Sequence, residues 1–74
     1  MKTIKDSSVK ETQVGDTVLI ERGITDPISK QNQQGILKDI IEEADEDIAV
    51  IEFSDGMTGQ YCEGTFINQQ SSHA

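Results

Sequence analysis

Cys62, His73 and the acidic run Glu42, Glu43, Asp45, Glu46 and Asp47 are the residues of this chain whose types could carry chemistry. A thiol or hydroxyl nucleophile needs a base within hydrogen-bond reach, and the only histidine, His73, is next to last in the sequence with nothing to hold it. Cys62 is therefore expected as a small, half-buried strand residue, and no catalytic residue is assigned. A structural zinc site takes about four Cys or His ligands, and Cys62 and His73 alone cannot supply them. An ordered calcium loop wants acids at alternate positions around a central glycine, which the run at 42–47 lacks. Gly15, Gly23, Gly35, Gly56, Gly59 and Gly64 are too far apart to cradle a phosphate. No metal and no cofactor is expected, and the chain reads as non-enzymatic. The acidic run is read instead as a negative lip facing a basic partner, with a merely solvated turn as the plainer alternative.

Charge points the same way. The chain has 74 residues and a net charge of −8, and residues 1–10 carry a local +2 from three lysines and one aspartate, so the remainder sums to −10. Such a body repels phosphate backbones and anionic lipid head groups, so neither nucleic acid nor membrane is an expected partner. No stretch reaches the roughly 20 apolar residues of a membrane span. The absence of a secretion-type apolar start and the single cysteine lead to a cytoplasmic expectation. A domain this small hides only about 60% of its unfolded surface. With one cysteine and no zinc ligand set, self-association is the open route to further burial.

The elements that must position these residues are short strands. Residues 1–12 read as a flexible polar arm and 69–74 as a disordered tail. Between them, over 13–68, Thr17-Val18-Leu19-Ile20-Glu21-Arg22 reads as a first strand after Gly15-Asp16, closed by Gly23, and 24–34 as a long loop. Gly35 to Ile41 reads as a second strand, although Leu37, Ile40, Ile41 and Ala44 also fit a helical spacing. A strand is preferred because five acids on the last turns of a helix would repel one another and oppose its dipole. Ile48 to Phe53 is a third strand, Asp55-Gly56 a tight hairpin turn with positive φ at both positions, Thr58 to Cys62 a fourth strand and Thr65 to Ile67 a fifth.

Gly15-Asp16-Thr17-Val18-Leu19-Ile20, Gly35-Ile36-Leu37-Lys38-Asp39-Ile40, Ile51-Glu52-Phe53-Ser54-Asp55-Gly56 and Tyr61 together resemble a small SH3-like barrel of the KOW and Tudor type, over about residues 14–68. The resemblance implies an all-β, five-stranded barrel that binds: KOW-type barrels contact RNA or proteins, and Tudor-type barrels hold methylated side chains. The acidic body argues against RNA. Phe53, Tyr61 and Phe66 are few for a methylammonium cage when Phe53 and Phe66 are wanted inside.

The apolar pattern completes the reading. With Val18, Ile20, Leu37, Ile40, Ala49, Ile51 and Phe53 inside, alternation sends Leu19, Ile36, Ile48 and Val50 outward with Ile41 beside them. The expected function is a protein-interaction or assembly module that uses this outer face and the acidic turn to meet a protein partner, basic where it faces the acids, or a second copy. An acidic inhibitor or nucleic-acid mimic filling a basic groove is the runner-up, and a small subunit of an enzyme complex the third reading.

Overall fold

Runs of β-branched residues separated by glycine, aspartate and asparagine leave little but strands to form. The computed structural model describes residues 2–24, 26 and 28–69, and over these it is all-β with no helix. The strands are β1 (Ile4–Lys5), β2 (Glu11–Thr12), β3 (Thr17–Ile20), β4 (Gln34–Glu42), β5 (Asp47–Phe53), β6 (Thr58–Cys62) and β7 (Phe66–Asn68). β1 and β2 form a small hairpin, and the other five form one antiparallel sheet in the order β6-β5-β4-β3-β7. β6 and β7 are the sheet's two edges, and among the described residues they do not pair with each other, so the ladder is open.

The five strands expected from residues 17–67 are β3 to β7, and the helical alternative for 35–47 is not taken. That segment is strand β4 and a turn, laddered onto β5 from Gly35↔Phe53 to Glu42↔Asp47. Every residue expected inside is buried: Val18, Ile20, Leu37, Ile40, Ala49, Ile51, Phe53 and Phe66, joined by Ile4 and Tyr61. Leu37 and Ile40 stand three positions apart, an odd spacing that strict alternation sends to opposite faces. A register shift between Leu37 and Asp39 resolves the conflict. The extra residue lets Lys38 and Asp39 both stay exposed, while Leu37 and Ile40 both enter the core.

Two local expectations are corrected. The hairpin between β5 and β6 has positive φ only at Gly56 (φ 87°), and not at Asp55. It is closed by Gly56 N–H donating to Phe53 O (2.9 Å) and Phe53 N–H donating to Met57 O (2.8 Å). The Asp55 carboxylate accepts from Met57 N–H at 3.0 Å, so its side chain secures the turn while its backbone stays out of the left-handed region. The second correction concerns residues 1–12. Over 2–12 they are structured as the β1–β2 hairpin, which places Ile4, Asp6 and Thr12 in buried positions and belongs to the same domain. The physical reason is that Ile4 supplies apolar volume the core would otherwise lack, while the Asp6 carboxylate satisfies the turn that returns the chain. Of the tail expected at 69–74, residues 70–74 lie outside the described residues.

Candidate interaction surface

The acidic run occupies the β4–β5 hairpin. Glu42 pairs with Asp47 at the end of the ladder, and Glu43 N–H donates to Glu46 O at 3.0 Å to close the turn. Glu42, Glu43, Asp45 and Glu46 are exposed and Asp47 is half-buried. Three ion pairs form among the described residues, Lys5–Glu11, Lys30–Asp55 and Lys38–Glu52, and none reaches this turn. Its carboxylates thus make no ion pair among the described residues, and Lys2, whose ammonium donates to Ile40 O at 3.1 Å, stays on the carbonyl two residues before Glu42. The turn borders a shallow depression of about 360 Å³ lined by Glu43, Ala44, Asp45, Glu46, Ile48 and Gln60. Among the described residues no three His, Cys, Asp or Glu side chains are grouped so as to hold a metal ion.

The outer face follows the alternation read from the sequence, but its hydrocarbon is divided among separate rows. Leu19 lies between Gln34 and Ile67, Ile36 between Thr17 and Glu52, Val50 between Asp39 and Gln60, and Ile48 between Ile41 and Cys62. Leu19, Ile41, Ile48 and Val50 are half-buried by such neighbours, whereas Ile36 is 46% exposed. Ile36 borders a mainly apolar groove of about 340 Å³ shared with Thr17, Gln34, Gly35, Glu52, Phe53 and Ser54. Two parts of one sheet are therefore available for contact: the Ile36 groove, and the Ile41–Ile48 pair that leads to the acidic turn.

What sequence reasoning missed is the polar anchoring of the two loops that flank the core. Asp26 and Lys30 are each only 8% exposed. Asp26 accepts from Ile28 N–H (3.0 Å), Lys30 N–H (3.0 Å) and the Tyr61 hydroxyl (2.8 Å). The Lys30 ammonium pairs with Asp55 and sits 5.4 Å from the Phe53 ring centroid, and that ring meets Tyr61 edge-on. Asp6 repeats the arrangement, accepting from Ser8 N–H (2.9 Å), Lys10 N–H (2.8 Å) and, on β7, Asn68 N–H (2.7 Å). In both loops the aspartate takes N–H groups two and four residues on, and the residue three on has positive φ: Val9 (64°) and Ser29 (55°). The signal was present as Asp-x-x-x-Lys at 6–10 and again at 26–30.

Burial alone would raise the pKa of both aspartates, but these donors together outweigh it and hold each carboxyl below the ordinary 3.8. Desolvation, and then the hydrogen bond to anionic Asp26, raise the Tyr61 hydroxyl and keep it protonated.

Cys62 is exposed, where a half-buried side chain was expected, because it alternates outward beside Ile48. Desolvation and the Glu46 carboxylate, 3.5 Å from Sγ, raise its thiol pKa above the ordinary value. That leaves less thiolate at neutral pH. His73 lies outside the described residues. Comparison with protein-family models, with curated proteins and with solved structures finds no match to this chain.

Proposed function

We propose that this protein is a non-catalytic interaction module, which meets a protein partner through the acidic β4–β5 turn and the adjoining outer face of its sheet. The observation that carries the reading is the charge of that turn: its carboxylates make no ion pair among the described residues, while Lys5, Lys30 and Lys38 pair elsewhere and the Lys2 ammonium is held on the Ile40 carbonyl. Glu42, Glu43, Asp45, Glu46 and Asp47 would steer a basic partner. Leu19, Ile36, Ile41, Ile48 and Val50 would supply apolar contact, with Ile36 the most open of them. The finer resemblance, a KOW or Tudor type barrel, belongs to this proposal and is supported by the five-stranded order of the main sheet. A cytoplasmic setting is consistent with it.

The experiment is a pull-down at low salt and at about 1 M, where the Debye length falls to about 3 Å, using the wild type, Ile36→Glu and a variant with Glu43, Asp45 and Glu46 changed to their amides. Capture that weakens with salt, and weakens further in both variants, is the expected outcome. Identical capture by all three proteins would refute the reading. Steep loss with salt in the wild type, with no effect of Ile36→Glu, would favour the second reading, an acidic mimic that fills a basic groove, which the same charge supports.

A further inference from the structure

The two edges of the main sheet are treated differently. β7 is covered: Ser7 N–H donates to Phe66 O (2.7 Å), and Asn68 N–H donates to Asp6 (2.7 Å), so the N-terminal hairpin occupies that side. β6 has no such cover among the described residues. Its sequence, Thr58-Gly59-Gln60-Tyr61-Cys62, contains no charge and no proline, and its pairing with β5 runs without a register shift. The devices that usually blunt an edge are therefore missing.

The register tells which groups are open. Phe53 and Met57 are hydrogen-bonded partners, so pairing alternates to Ile51–Gly59 and Ala49–Tyr61, and the peptide groups of Thr58, Gln60 and Cys62 turn away from β5. Thr58, Gln60 and Cys62 are all exposed, and the Cys62 carbonyl is taken up by Thr65. At the Cys62 end stand Glu46, 3.5 Å from Sγ, the rest of the acidic turn, and Glu63.

We infer that β6 is a docking edge for an extended, basic peptide segment, which adds to the sheet as a further antiparallel or parallel strand and places lysine or arginine side chains over the acidic turn. This rests on the interaction reading above and specifies how the partner binds. A second copy of this chain fits less well, since it would bring another net charge of −8 to the same edge. Backbone pairing would give affinity, and the charge on the turn would set the preferred sign.

The test uses the full chain and a seven-residue peptide of alternating lysine and valine, followed by amide hydrogen exchange. With peptide at ten times its Kd, exchange at Thr58, Gln60 and Cys62 is expected to slow roughly tenfold. Methylating alternate peptide nitrogens, or replacing its lysines by glutamate, is expected to abolish the protection. Gln60→Pro, which an open edge tolerates, is expected to fold and to lose binding. Should that variant not fold, the N-methylated peptide carries the same test. Absence of binding, or binding that shifts resonances at 43–48 without protecting β6, would overturn the edge assignment while leaving the interaction reading to its own pull-down. Protection of β6 in the protein alone, in a dimer seen by light scattering, would assign the edge to a second copy and overturn it equally.

Discussion

Asp6 and Asp26 hold the two loops of this protein by the same means, a carboxylate turned back onto N–H groups two and four residues on. The Tyr61 hydroxyl adds a third donor to Asp26 from across the core. Hydrogen bonds to a charged group contribute about 1.5–3 kcal/mol, so Tyr61→Phe is expected to lower stability by about that much in urea titration. An unchanged midpoint would show that the bond adds nothing net. Val9 carries a different cost: it is a β-branched residue at φ 64° with 69% of its surface exposed. The left-handed region disfavours such a side chain by about 1–2 kcal/mol. Val9→Gly is therefore expected to raise the thermal midpoint even though it removes side-chain atoms, and a lower midpoint would mean that Val9 makes compensating contacts. These anchors were hard to read because their donors come from distant positions: Asp26 and Tyr61 are 35 residues apart, and Asp6 and Asn68 are 62 apart. Only their local half, the repeated Asp-x-x-x-Lys spacing, stood in the sequence.

The strands were far more legible, since alternation and turn residues act over a few positions. The strands at 48–53 and 58–62 read directly and the first, expected over 17–22, ends at Ile20; together with 35–41 they give the inside list. The β4 bulge was legible only as a contradiction, in that Leu37 and Ile40 both belonged inside at a spacing that a regular strand cannot provide. The ladder there depends on close approach at Gly35, where a Cβ would lie 2.5 Å from Ile51 Cγ2 and 2.9 Å from the Glu52 carbonyl. That carbonyl is held in the sheet and cannot move aside. Gly35→Ala is expected to cost about 1–3 kcal/mol, read as a lower urea midpoint with the strand signature retained. An unperturbed midpoint would show that β4 and β5 separate easily at this point. The hairpin at 54–57 was expected and forms, but the Asp55 side chain took over a task assigned to its backbone.

For the molecule as a whole, the buried, depressed aspartates Asp6 and Asp26 and the excess negative charge make opposite contributions to its response to acid. A carboxyl whose folded-state pKa lies below the ordinary 3.8 stabilises the fold fully above that value, and the contribution is lost as pH falls through the lower folded-state value. Relief of self-repulsion as the other acids protonate works in the opposite sense. Asp26→Asn is expected to be less stable near neutral pH and to show a shallower fall in stability below the ordinary value than the wild type, measured by urea midpoints across acid pH. Parallel curves for the two proteins would remove Asp26 from the account of acid sensitivity. The outer face shows where sequence reading reaches its limit at this scale. Alternation sends Leu19, Ile36, Ile41, Ile48 and Val50 outside, whereas the cross-strand pairing, set by distant residues, half-covers all but Ile36.

The proposed meeting place with a partner is the acidic turn and the sheet beside it. The most direct test is an amide resonance map of the labelled chain before and after adding the protein captured in the pull-down. Shifts centred on Ile36 and on residues 43–48 are the expected result. Shifts confined to the β1–β2 hairpin and the loop at Asp26–Lys30, with the turn and Ile36 unmoved, would contradict it.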